Sequence, residues 1–218
     1  MPKRSSATSP SAPETLDALA ARVRACTVCA PHLPHAPRPV LRVSPGARLL
    51  IVGQAPGRRV HETGIPWNDP SGDLLRQWLG VTRDVFYDET RIAIVPTGLC
   101  YPGTVKGSDL PPRPECAPLG HPPLPAAMPN IELTLLLVAW PQAYYLRERR
   151  GRTLTDTVRA WCDFAPAFLP LPHPSPRNRL WLKRNPWFDA EVIPMLRERV
   201  GHLLAAGDNG AAHRGKHK

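Results

Sequence analysis

Four short, largely apolar runs, three of them followed at once by glycine or proline, constrain the fold of this chain more than any other feature. They are Leu49–Val52 (LLIV), Arg91–Val95 (RIAIV), Ile131–Ala139 (IELTLLLVA) and Phe168–Leu171 (FLPL). Runs this short and this uniformly apolar read as strands buried on both faces rather than as half-exposed strands, which alternate. Between them lie stretches with helical spacing. Ser71 is placed to cap a helix from Gly72 to about Leu79, and Trp140–Arg149 and Thr153–Trp161 read as two more. Asn185 and Pro186 form an N-cap and N1 pair for a last helix, with Phe188, Val192, Leu196 and Leu203 along one side and Pro194 expected to kink it. Strands alternating with helices predict an α/β fold, a three-layer αβα arrangement around a central, mainly parallel four-stranded sheet.

Before the first strand, Leu16, Leu19, Ala20 and Val23 predict a helix that delivers Cys26 and Cys29 at its end, and Pro31–Pro45 is a proline-broken connection. Cys100–Cys116 reads as a long loop and Ala117–Met128 as a helix. The 29 prolines fall mostly in loops around the apolar runs rather than in one repeat, so the chain reads as ordered, with one domain over 14–204. Residues 1–13 are expected to be a disordered tail, and 205–218 a flexible basic one. The net charge of +10 points to a polyanionic partner. No apolar run is long enough to span a membrane, and the opening MPKRSSATSPSAPE lacks the apolar core of a signal peptide. The expectation is a cytoplasmic monomer.

The first strand ends in Gly53–Gly57 (GQAPG), a turn whose two glycines and proline expose backbone. Behind it a polar loop carries Trp67, Asn68 and Asp69. The tips of strands in open α/β sheets are where sites are built. After the fourth strand comes HPSPRN. There His173 stands between prolines that restrict its backbone, with Ser175, Arg177 and Asn178 beside it, a set suited to a phosphodiester or a developing oxyanion. Arg177, Arg179, Lys183 and Arg184, interleaved with Trp181, extend the positive charge, which favours a nucleic acid. The bland alternative is a solvated basic face.

Cys26-x2-Cys29 and Cys100-x15-Cys116 form two pairs separated by a strand–helix–strand unit. On spacing alone, four thiolates suit either a structural zinc or an iron–sulfur cluster. Cys162 stands apart and reads as an inert helix or core residue.

GQAPG, GIPWNDPSGDLL and HPSPRN, in this order, resemble the active-site motifs of the uracil-DNA glycosylase superfamily. The two cysteine pairs resemble those of its family 4 branch, which holds a 4Fe–4S cluster. The resemblance implies a DNA repair glycosylase, monofunctional, that hydrolyses the N-glycosidic bond of uracil, with other deaminated bases as further candidate substrates, to leave an abasic site. It implies that Gly53, Gln54 and Ala55 line the base pocket, Trp67 stacks on the flipped base, and His173 hydrogen-bonds the uracil edge. Arg177 stands where the superfamily places a duplex wedge, with Ser71, Ser175 and Lys183 as further DNA contacts, and Cys26, Cys29, Cys100 and Cys116 as cluster ligands. In two places the chain departs from its relatives. Ala55 occupies the place of the family 1 aspartate, and Pro96 that of an asparagine that reads the base. Asp69 is then the expected catalytic carboxylate beside Gln54 and His173, Asp73 and Glu62 weaker candidates, and Asn68 or Thr97 the base readers. Some relatives trap DNA covalently through a loop histidine, but residues 101–115 contain none. The competing expectation is an iron–sulfur protein that binds damaged or single-stranded DNA without excision.

Overall fold

The computed structural model of the protein describes residues 14–213. Helix α1 (Leu16–Arg24) is capped by Thr15, whose hydroxyl accepts the Ala18 amide, and it buries Leu16, Leu19, Ala20 and Val23 as its spacing predicts. Strand β1 (Leu49–Val52) is buried at every position. The GQAPG turn then leads into α2 (Arg58–Thr63), α3 (Pro70–Leu79) and α4 (Arg83–Tyr87) before β2 (Ile92–Ile94). The loop expected between Cys100 and Cys116 contains a hairpin, β3 (Thr104–Val105) and β4 (Ser108–Asp109). Its two turn residues, Lys106 and Gly107, both have positive φ (51° and 77°), the type I′ geometry that matches strand twist.

The helix expected over Ala117–Met128 is two short ones, α5 (Cys116–Gly120) and α6 (Pro123–Ala126). Pro122 and Pro123 remove the amides that would continue a single helix. Strand β5 (Leu133–Leu137), α7 (Ala139–Leu146), α8 (Leu154–Arg159), β6 (Phe168–Leu171), α9 (Arg179–Arg184) and α10 (Ile193–His213) complete the chain. Asn185 stands just before the helical path that opens at Pro186, as expected, but its side chain does not bond the first-turn amides. Its amide donates to the Trp181 carbonyl at 2.8 Å and its Oδ1 accepts the Trp187 indole N–H at 3.2 Å, joining α9 to the following turn. The helical path from Pro186 passes through a π-turn at Phe188–Val192, just before Pro194, whose missing N–H removes one i→i−4 bond. Helix α10 continues past Leu204, the expected end of the domain, while the tail expected over 1–13 lies outside the described residues.

The four long strands form one all-parallel sheet in the order β2-β1-β5-β6. Side chains alternate across it. Leu49 and Ile51 face a cluster with Leu75, Trp78, Phe188, Val192 and Leu196. Leu50 and Val52 face the other side, with Leu16, Leu19, Val23, Leu124 and Met128. Each such buried side chain contributes roughly 1.5–3 kcal/mol. The result is three layers, as the alternation of elements predicts. From β1 the chain crosses first to β2 and later to β5 on the opposite side, so the strand order reverses beside β1, and a crevice opens at the carboxyl ends there.

Candidate active site

The GQAPG turn, the loop before α3 and the loop after β6 meet above that crevice and enclose a cavity of about 400 Å³. Gly53, Gln54, Ala55, Trp67, Asp69 and Ser71 line it from one side, and His173, Ser175 and Arg177 from the other. Nine residues picked from three separate sequence stretches thus converge, because parallel strands deliver all their carboxyl ends to one edge.

Trp67 has φ 56°, a left-handed conformation uncommon for any residue but glycine. Local contacts hold it there. The Tyr87 hydroxyl donates to the Pro66 carbonyl at 2.8 Å, and Gly72 packs so closely that a Cβ on it would lie 1.8 Å from the Trp67 carbonyl oxygen. The indole lies over Gly53 and 5.9 Å, centroid to centroid, from the His173 ring. The cap of α3 differs from expectation. Asp69, not Ser71, is its N-cap, with Oδ1 accepting the Gly72 amide at 2.9 Å, and the helix starts one residue after it at Pro70. Proline suits that first position, where an amide has no partner anyway.

The HPSPRN loop is braced by its own backbone. Ser175 and Asn178 Nδ2 both donate to the His173 carbonyl (2.8 and 3.2 Å), and the Ser175 hydroxyl accepts the Arg177 amide. Burial pushes the His173 pKa below its usual value, while the Asp69 and Asp109 carboxylates pull the other way. The net effect is a neutral imidazole near pH 7, a hydrogen-bond donor rather than a fixed cation.

Three expected residues stand outside the cavity wall. The Asn68 side chain accepts from Arg83 at 3.1 Å. Thr97 is buried, its hydroxyl donating to the Gly53 carbonyl at 2.9 Å, so it shapes the turn from behind. Lys183 is exposed on α9. Of the weaker carboxylate candidates, Asp73 pairs with Arg76 at 2.6 Å and Glu62 is exposed on α2, away from the cavity. Of the charged and polar side chains on the wall, one has no counterpart in the sequence reading. Asp109 enters from the hairpin, and Gln54 Nε2 donates to the neighbouring Leu110 carbonyl at 3.3 Å.

A family model of the uracil DNA glycosylase superfamily matches residues 42–197, a span that holds every wall residue but Val40. The chain belongs to that superfamily. Its members are DNA glycosylases, so DNA is the substrate polymer of this superfamily site, in keeping with the net charge of +10. Among the described residues no helix is long and apolar enough to cross a membrane.

The four paired cysteines line a second, small cavity of about 30 Å³ behind the first. Cys26 and Cys29 follow α1, Cys100 lies in the loop after β2, and Cys116 opens α5. Burial pushes the Cys100 and Cys116 thiols up to about 11, and neighbouring thiols add to the shift in each. As placed, no three His, Cys, Asp or Glu among the described residues are grouped to hold a metal ion. The matched span includes Cys100 and Cys116 but not Cys26 or Cys29. Cys162, expected in a helix or the core, is exposed in the 3₁₀ turn Trp161–Phe164, away from the four.

Proposed function

We propose that this protein is a monofunctional glycosylase that removes uracil, and related deaminated bases, from DNA. The observation that carries the reading is the convergence of the GQAPG turn, Trp67 and His173 on one cavity. A nucleotide flipped from the stack brings its base onto the Trp67 indole, with Gly53, Gln54 and Ala55 against its edge. Breaking the C1′–N1 bond moves electrons onto the base. The neutral His173 donates a hydrogen bond to that forming anion, and its burial strengthens the interaction. Asp69, also on the cavity wall, opposes the positive charge that grows on the sugar. Ser71, Ser175 and the exposed Arg177 are placed for the flanking phosphates or the gap left in the stack. Lys183, on the adjoining α9, adds charge for the backbone.

The second cavity supports a cluster reading as well. Four thiols drawn from three chain segments line it, and thiolates crowded in this way repel one another unless a cation lies between them. In type and number the four donors suit a 4Fe–4S cluster, which Cys26, Cys29, Cys100 and Cys116 would hold. A bound cluster would supply structural cross-linking of α1, β2 and α5.

The test is an abasic-site gel assay on uracil-, hypoxanthine- and xanthine-containing oligonucleotides, with His173→Ala alongside. Excision of uracil is expected, reduced about 10²–10³-fold in the variant, the usual magnitude for losing one oxyanion donor. Duplex affinity should change little. Ala55 and Pro96 leave the cavity without two polar groups of its relatives, which favours the second reading, a binder of damaged DNA that does not excise. Binding without any abasic product would establish it.

A further inference from the structure

Two carboxylates reach the cavity, and their surroundings differ. Asp69 is committed to backbone: its Oδ1 caps α3 through the Gly72 amide. Asparagine fills that role equally well. Asp109 sits on β4, caps no helix, and is exposed at the cavity wall, where water reaches it. Its Oδ1 accepts the Thr104 hydroxyl at 2.9 Å. Its Oδ2 lies over the last glycine of the GQAPG turn, 3.7 Å from where a Gly57 Cβ would be. Both carboxylates act on His173 across the cavity.

The hairpin is braced in a way that a free surface loop is not. Tyr101 shares a 2.5 Å hydrogen bond with Thr104, Leu110 N donates to the Gly103 carbonyl at 2.9 Å, and Gln54 holds the Leu110 carbonyl. Cys100 and Cys116, at the two ends of the loop that carries the hairpin, both line the second cavity. Ala55 leaves the turn itself without a carboxylate. Carboxylates near the sugar then come from other elements: Asp69 from the loop before α3, with one oxygen held by its cap, and Asp109 from the hairpin, free to take a proton.

We propose that Asp109 is a catalytic carboxylate of this protein, facing the deoxyribose and taking the proton of the attacking water. The inference rests on the glycosylase reading above. In the step, the C1′–N1 bond breaks and its electron pair leaves with the base, held by the His173 N–H. The water oxygen bonds C1′, its proton passes to Asp109, and that proton returns through solvent to the departing base. Water and the base-bearing nucleotide give free base and an abasic site, with no other reactant.

The experiment is single-turnover excision by Asp109→Asn, with affinity measured for oligonucleotides bearing a cationic pyrrolidine or a neutral tetrahydrofuran abasic analogue. Asparagine keeps the acceptor for Thr104 and removes only charge and basicity. Excision should fall about 10²–10³-fold, within the range of a lost general base. The wild-type preference for the cationic analogue should also disappear. Thr104→Val, which unpins the hairpin but keeps the carboxylate, should retain most excision. If Asp109→Asn excises at the wild-type rate while the wild type is active, the assignment of Asp109 fails alone. If Thr104→Val loses as much as Asp109→Asn, the carboxylate is only a hairpin pin and the proposal fails. A wild-type protein that excises none of the three bases removes the glycosylase reading itself.

Discussion

Trp67 shows how much of the cavity depends on one residue held against its own backbone preference. Its positive φ survives because α3 presses on it, and the closest point is Gly72. A methyl group there would overlap the Trp67 carbonyl oxygen, so either the indole or the first turn of α3 has to move. Gly72→Ala is therefore expected to cost about 1–3 kcal/mol of stability, the usual range for overpacking. It should also weaken affinity for uracil-containing DNA, because the ring leaves its place over Gly53. Urea unfolding and oligonucleotide titration check both, and a variant unchanged in each would mean that Trp67 is not pinned in this way. The same contact would not be suspected from GIPWNDPSG alone, where Gly72 looks like one more residue of a helix start.

Among elements, the β3–β4 hairpin is the one whose position depends on something outside the sheet. It is two residues wide on each strand, exposed, and far too small to be stable by itself. The loop that carries it runs between Cys100 and Cys116, both at the second cavity, where the Leu99 amide donates to the Cys116 sulfur at 3.2 Å. Removing one of the proposed ligands should then release both the proposed cluster and the hairpin. Cys100→Ser is expected to purify without brown colour, with iron and acid-labile sulfide lost together, and to be cut by protease within 101–115, where the wild-type protein resists. Stoichiometric zinc with no iron in the wild type would refute the cluster while leaving the anchoring argument in place. A colourless, iron-free variant that stays protease-resistant would show that the hairpin holds without the ligand.

For the whole molecule, the buried histidines set the acid side of stability. His121 is 2% exposed, bonded through Nε2 to the Pro96 carbonyl (3.0 Å) and through Nδ1 to Tyr145 (2.7 Å). Burial lowers its pKa, as it does for His173 and His61, each from an ordinary value of 6.5. A group with a depressed folded pKa is protonated first in the unfolded chain. Stability is therefore intact above about pH 6.5 and declines as pH falls below it, by up to about 1.4 kcal/mol per pH unit for each histidine. Carboxylates begin to contribute only nearer pH 4.5, so the window between belongs to histidine. Thermal midpoints measured from pH 7.5 to 5 should fall, and His121→Gln should flatten the slope. An unchanged slope in that variant would assign the acid sensitivity to other groups.

The strands were legible in the sequence because a strand buried on both faces cannot hide: LLIV, RIAIV and FLPL have no polar residue to spare for solvent apart from Arg91. The turn and loop motifs were legible for a related reason, since glycine and proline declare where backbone must bend, and GQAPG and HPSPRN lie at strand ends. Their meeting in one cavity then follows from parallel pairing. Caps were harder to place. Asp69 and Ser71 are both good cap residues two positions apart, and only the geometry of Pro70 at the first helical position decides between them. Asp109 was not legible at all, because nothing local distinguishes it. It reaches the cavity through a six-residue hairpin whose path is set by hydrogen bonds from Tyr101 and Gln54, contacts up to 56 positions apart in the chain. The sequence by itself determined the layers, the strand tips and the aromatic and imidazole groups placed on them, because burial and backbone freedom are local properties of residues. Which carboxylate faces the cavity was left to the tertiary structure, because that depends on distances between segments, and no residue carries those.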